Sequence, residues 1–129
     1  FLGLLGTFWG LLGTIGSINT VIQSLDAGLE LGVLTNNGRL MAQAIPRIVA
    51  PMYSRLEGRV LCSGALRIRK PEPEIYRLAL TQLGWNAAET LFVDDIFANV
   101  QGARSVGLHA ETVTDGRSLG KVLRRYSLI

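Results

Sequence analysis

Three short stretches of this chain carry the side chains that chemistry would need. Asp94 and Asp95 are adjacent carboxylates that end the apolar run Leu91-Phe92-Val93. Lys70 stands immediately before Pro71, and Thr35-Asn36 follows the apolar run Leu29 to Leu34. A hydroxyl, an ammonium and a carboxylate pair are the set that phosphoryl transfer uses. The donors hold the equatorial oxygens, the cation offsets charge, and the carboxylates hold Mg²⁺. Taken singly, each has a plainer reading: a Thr-Asn-Asn-Gly turn, a solvated lysine, a polar strand end. What favours the chemical reading is that all of them fall at one rim of the fold the sequence predicts.

That fold is α/β. Leu29 to Leu34 reads as a buried strand closed by the turn residues of "TNNG". Val60 to Leu66, the run "TLFVDD" and Leu108 to Val113 read as three further strands. Helical character is expected over Met41 to Tyr53, broken by Pro46 and Pro51. Three more helices are expected: from Pro71 to Leu83 with Gly84 past the end, from Ala98 to Val106 closed by Gly107, and from Ser118 to Tyr126. In the last of these, Lys121, Arg124 and Arg125 lie toward the C-terminus, where cations complement the helix dipole. Strands alternating with helices at this spacing predict a Rossmann-like parallel sheet covered on both faces. Ligands of such sheets bind beyond the carboxyl ends of the strands, which is where Thr35, Asn36, Asp94 and Asp95 fall.

"LGVLTNN", "RKPEPEIYRLAL" and "TLFVDDIFANVQGARSVGLHA" resemble, in order, motifs II, III and IV of the haloacid dehalogenase superfamily, in its subfamily I phosphatase-like form. The resemblance covers about residues 21–129 and implies a Mg²⁺-dependent phosphohydrolase acting on a small phosphate ester. It implies that Thr35 hydrogen-bonds the phosphoryl group with Asn36 beside it. Lys70 would hold the phosphoryl oxygens and the nucleophilic carboxylate together. Asp95 would bind Mg²⁺ directly or through water with Asp94 supporting it, and Asn99 would orient the metal shell. The family's motif I is an Asp-x-Asp run after the first strand, and no Asp-x-Asp occurs in this sequence. Asp26 precedes the first recognisable strand, which would put it ~20 Å away at the opposite end of the sheet. The expectation is therefore a core without its nucleophile-bearing first strand and without a cap domain, inactive by itself.

Residues 1–25 contain no ionisable side chain, and the domain reading divides the chain into 1–25 and 26–129. The first segment is long enough to span a bilayer. Gly6 and Gly10 form a GxxxG pair, and Thr7, Gly10, Thr14 and Ser17 continue a small-residue face. "GLLGTFWGLLGTIGSI" also resembles a piece of the MotA/TolQ/ExbB proton-channel family, with Thr7 matching its pore-lining threonine. The competing reading is a buried or misjoined Gly-rich segment. No basic stretch precedes it, so a secretory signal is not expected. The opening on Phe1 points to a fragment or a processed chain.

The remaining composition excludes more than it assigns. The 129 residues suit one small domain, and 48% hydrophobic against 18% charged residues is too apolar for disorder. A net charge of +3 without a dense basic stripe suits an anionic small molecule and not nucleic acid. The single cysteine, Cys62, excludes an internal disulfide and reads as a buried thiol. His109 has no metal-ligand partner at useful spacing and reads as structural, as does Trp85. Arg67 and Arg69 read as solvated charge beside Lys70. The chain is expected to be cytoplasmic, with membrane association only through residues 1–25. Besides the phosphohydrolase, two readings stay open: a membrane proton-channel or transport component, and a non-catalytic Mg²⁺/phosphate-binding module.

Overall fold

The computed structural model describes residues 3–6, 29–36, 59–63 and 67–128. Five described strands form one sheet: β1 (Gly3–Gly6), β2 (Glu30–Thr35), β3 (Val60–Cys62), β4 (Thr90–Asp94) and β5 (His109–Thr112). Their order is β3-β2-β1-β4-β5, and every pairing is parallel. In β2 every residue but Glu30 is buried, and β4 is buried throughout. Continuous burial is what a parallel sheet covered on both faces requires, and it explains why these strands read as unbroken apolar runs.

The N-terminus corrects the sequence reading. Gly3–Gly6 is a strand at the centre of the sheet, with Leu4 level with Leu31 on one side and Leu91 on the other. The first strand is thus present and not missing. A helix beginning at Phe1, on which the membrane and proton-channel expectations depend, does not run through Gly3–Gly6. Thr7, the rest of the 1–25 segment, Asp26 and the expected helix over Met41 to Tyr53 lie outside the described residues. Among the described residues no helix is long and apolar enough to cross a membrane. An acidic motif is the wrong marker for this strand. A central strand needs only apolar character and two neighbours to pair with, and "GLLG" supplies the first.

Three helices complete the described frame: α1 (Pro73–Leu83), α2 (Phe97–Ser105) and α3 (Gly116–Arg125). Pro73 sits in the first turn of α1, where its missing N–H costs nothing. Gly84 ends that helix in the left-handed region at φ 71°, its N–H directed to the Leu80 and Thr81 carbonyls. Asp115 caps α3 by accepting from the Ser118 N–H at 2.7 Å, while Ser118 Oγ accepts from the Asp115 N–H at 3.0 Å.

Alternate residues of each strand serve opposite faces. Leu34, Phe92 and Ala110 join Ile75, Tyr76, Ala79 and Leu80 of α1 and Val100 and Ala103 of α2 in one buried cluster. On the other face Leu31, Val33, Leu91 and Val93 are also buried. Tyr126, at the end of α3, reaches that side of β5 by donating to Glu111 and packing its ring edgewise on His109.

The strand ends differ slightly from expectation. β3 stops at Cys62 and Ser63 is already helical, so the strand is shorter than Val60 to Leu66. From β1 the chain moves outward through β2 and β3, then returns to place β4 and β5 on the other side of β1. The reversal between β1 and β4 is the switch point where ligand crevices open in such sheets.

Candidate functional site

Asp94 is the last residue of β4 and lies on the same face as Phe92, the face covered by α1 and α2. Lys70 reaches it from the segment that leads into α1. Its Nζ is 2.9 Å from Asp94 Oδ2, with the two side chains 2% and 0% exposed. The ammonium also stands 5.7 Å from the centre of the Phe92 ring. A buried ion pair persists only when its remaining hydrogen-bond capacity is met. Here Asn99 Nδ2 donates to Asp94 Oδ2 at 3.1 Å, and the Ile96 N–H donates to Oδ1 at 2.8 Å. The turn into α2 supplies both donors, so helix and carboxylate fix each other.

Burial pushes the Lys70 ammonium below its ordinary pKa, while Asp94 and then Asp95 pull it back up. Asp95 carries the opposite perturbation. Desolvation raises its carboxyl, helped by its hydrogen bond with Asp94 and by that neighbour's charge, while Lys70 lowers it. The residue as a whole is nonetheless exposed at the rim.

Two features that sequence reasoning passes over hold this cluster. Tyr76 of α1 donates its hydroxyl to the Asn99 carbonyl at 2.7 Å, which ties α1 to the first turn of α2. Burial and the nearby Asp94 raise the pKa of this phenol, keeping it a donor. Gly102 is the second. A Cβ built there would lie 2.5 Å from the Pro71 carbonyl oxygen and 2.9 Å from Tyr76 Cε2. Only glycine lets α2 approach the Lys70-Pro71 segment so closely. A signal for it exists in the sequence: an isolated Gly inside a helical pattern costs helix stability and asks for a packing reason.

The other expected site residues occupy two settings. The Asn36 side chain faces the Lys70 backbone, its Nδ2 donating to the carbonyl at 3.2 Å and its Oδ1 accepting from the N–H at 3.0 Å. Direct hydrogen bonds therefore join Asn36, Lys70, Asp94 and Asn99 into one group. Thr35 ends β2 and is buried. Because Val33, Gly6 and Val93 are level, Thr35 and Asp95 each lie two residues beyond a common line. They face the same rim roughly 10 Å apart, two strand spacings.

The remaining candidates lie elsewhere or at the margin. His109 starts β5, level with Leu91, which puts it toward the amino end of the sheet and away from this rim. Its Nε2 is 3.1 Å from the Ala88 carbonyl. Trp85 donates to Glu30 at the start of β2, also at the amino end. Arg67 and Arg69 are exposed near Lys70. Cys62 closes β3.

Among the described residues no group of three or more His, Cys, Asp or Glu side chains converges as a ready metal cage. Mg²⁺ does not require one. It commonly takes one or two carboxylates and fills its octahedron with water and substrate phosphate. The Asp94–Asp95 pair fits that pattern. Asp94 is already engaged by three donors, and Asp95 is the more accessible member.

Known proteins place this architecture. A phosphatase of Mycobacterium tuberculosis is 35% identical over 101 residues, covering 78% of this chain and 46% of the relative. The chain thus spans less than half the length of that protein. The structure of L-2-haloacid dehalogenase from Xanthobacter autotrophicus superposes with a TM-score of 0.68 at 26% identity, covering 90% of this chain and 47% of that one. A haloacid dehalogenase family enzyme from Bacteroides thetaiotaomicron, solved with magnesium and inorganic phosphate, shares the fold. It gives a TM-score of 0.62 at 22% identity, covering 76% of this chain and 52% of that one. The sequence profile of haloacid dehalogenase-like hydrolases matches residues 6–107, beginning in β1 and running past α2. That profile covers most of the chain, and this chain belongs to the haloacid dehalogenase-like hydrolase family.

Proposed function

We propose that the rim formed by Thr35, Lys70, Asp94 and Asp95 binds the phosphoryl group of a small phosphate ester together with Mg²⁺, as the phosphohydrolase half of the family does. The observation that carries this reading is the buried Lys70–Asp94 pair at the switch point of the sheet. A lysine kept out of water beside a carboxylate is costly, and functional sites are where such arrangements concentrate. The phosphatase relative supports the substrate class.

Each residue has a role in this proposal. The Lys70 ammonium offsets phosphoryl charge, and the Thr35 hydroxyl donates to an equatorial oxygen. Asp95 ligates the metal, while Asp94 holds Lys70 and stays paired with Asn99. Bound Mg²⁺ would supply Lewis-acid neutralisation of the phosphate oxygens.

The covalent step is where this chain departs from its family. Between Gly6, the end of β1, and Asp26 there is no carboxylate. Electrostatic positioning does not replace the atom that attacks phosphorus. The 129-residue chain is therefore a phosphate-binding rim without a nucleophile, which favours the binding-module reading for this chain taken alone.

The purified chain, incubated with an aryl phosphate and Mg²⁺, is expected to show negligible hydrolysis. By calorimetry it should bind inorganic phosphate in a Mg²⁺-dependent way, and Lys70→Met should weaken that binding strongly while leaving it measurable. Robust turnover abolished by Lys70→Ala would show that a nucleophile is present after all. Absence of phosphate binding would remove the proposal itself.

A further inference from the structure

The sequence resemblance puts Asn36 beside the phosphoryl group as a ligand. The structure gives it a different role, and we infer that Asn36 is a positioning residue, whose side-chain amide clamps the Lys70 backbone so that the ammonium reaches the rim. This rests on the proposed phosphate-binding role of Lys70. It adds that the residue after Thr35 acts through Lys70 and not on the ligand.

The geometry is reciprocal. Asn36 Nδ2 donates to the Lys70 carbonyl at 3.2 Å, and the Lys70 N–H donates to Asn36 Oδ1 at 3.0 Å. One amide thus meets both backbone groups of a single residue, as a strand neighbour would. The orientation of the amide follows from those partners, because the N–H needs an acceptor and the carbonyl a donor. Lys70 lies in irregular chain between β3 and α1, where no sheet ladder satisfies its backbone. It is 5% exposed, so leaving those groups unpaired would be costly.

The two ends of Lys70 are then fixed from opposite sides of the crevice. Asn36 follows β2 and holds the backbone; Asp94 ends β4 and holds the ammonium at 2.9 Å. Between those strands lies β1, at the centre of the sheet. The clamp spans the switch point and sets where the positive charge sits above it. Asparagine fits because its amide both donates and accepts on a short stem. Aspartate would keep only the accepting half, and alanine neither.

The test is a double-mutant cycle on inorganic phosphate affinity in the presence of Mg²⁺, read by calorimetry with the whole chain. Asn36→Ala is expected to weaken phosphate binding roughly tenfold, the scale of a lost buried hydrogen-bonded contact. In a Lys70→Met background the same change should have no further effect, because the clamp has nothing left to position. Asn36→Asp should fall between parent and alanine. An additive loss in the Lys70→Met background would make Asn36 a direct ligand and overturn the inference, as would parent-like affinity for Asn36→Ala.

A second readout does not depend on phosphate. Hydrogen exchange at the Lys70 amide should accelerate strongly in Asn36→Ala, since its acceptor is gone. If the parent binds no phosphate, the proposed function fails but this exchange still decides the clamp. Unchanged exchange would overturn it.

Discussion

β1 and β4 lie side by side at the centre of the sheet, paired in register from Gly3 and Thr90 to Gly6 and Val93. As backbone they do the same work, each hydrogen-bonded in parallel to two neighbours. At their carboxyl ends they part company. β4 delivers Asp94 and Asp95, and around Asp94 gather Lys70, Asn99 and the Ile96 N–H. After β1 the sequence offers Thr7, Phe8 and Trp9, with no ionisable group before Asp26. The contrast separates two requirements that a family motif normally fuses. Membership of the sheet asks only for apolar residues of the right length. Chemistry at the rim asks for particular side chains at one position.

The sharpest way to break the comparison is to give β4 an inert rim as well. Asp94→Ala removes the counter-charge of a buried lysine and orphans the Asn99 and Ile96 donors. The loss should be about 3–5 kcal/mol in denaturant unfolding, the range for breaking one partner of a buried pair. Combining it with Lys70→Met should recover the part due to the stranded charge, leaving the cost of the orphaned Asn99 and Ile96 donors. If Asp94→Ala unfolds at the parent's midpoint, the two rims are energetically alike and the contrast dissolves.

A smaller effect is expected from the helix that backs the β4 rim. Gly102→Ala pushes a methyl against the Pro71 carbonyl and the Tyr76 ring. Overpacking of this kind costs about 1–3 kcal/mol. The expected signature is lower stability together with faster exchange at the Ile96 and Lys70 amides, because α2, with Ile96 at its start, must move away from Asp94 and from the Lys70-Pro71 segment. A stability gain, as for an ordinary helical Gly→Ala change, would show that the close approach is not needed.

Asp95→Asn should change least in stability, within about 0.5 kcal/mol, as for an exposed side chain. It separates site from scaffold instead: Mg²⁺ affinity measured by calorimetry should fall sharply while the unfolding midpoint stays put. Equal Mg²⁺ affinity in mutant and parent would remove Asp95 from the metal role and leave the rim of β4 as structure only.

Much of the frame is legible in the sequence because local patterns report it. β2 and β4 are unbroken apolar runs, α1 carries Pro at its start and Gly past its end, and the order of elements dictates a parallel sheet. Thr35, Asn36, Asp94 and Asp95 are visible by type and by their place at strand ends, and Lys70 by type and by its place just before α1.

What the sequence could not decide was partnership across distance. Gly3–Gly6 has no local mark of a central strand, since its standing comes from β2 and β4 on either side. The role of Asn36 depends on a residue 34 positions away, and Gly102 matters only because Tyr76 and Pro71 press against it. Residue types, periodicity and caps are properties of neighbours along the chain, and sequence alone determined them. Which carboxylate is buried against the lysine, which amide holds its backbone and which strand takes the centre were decided by tertiary packing. Only there do distant groups compete for the same hydrogen bonds and the same space.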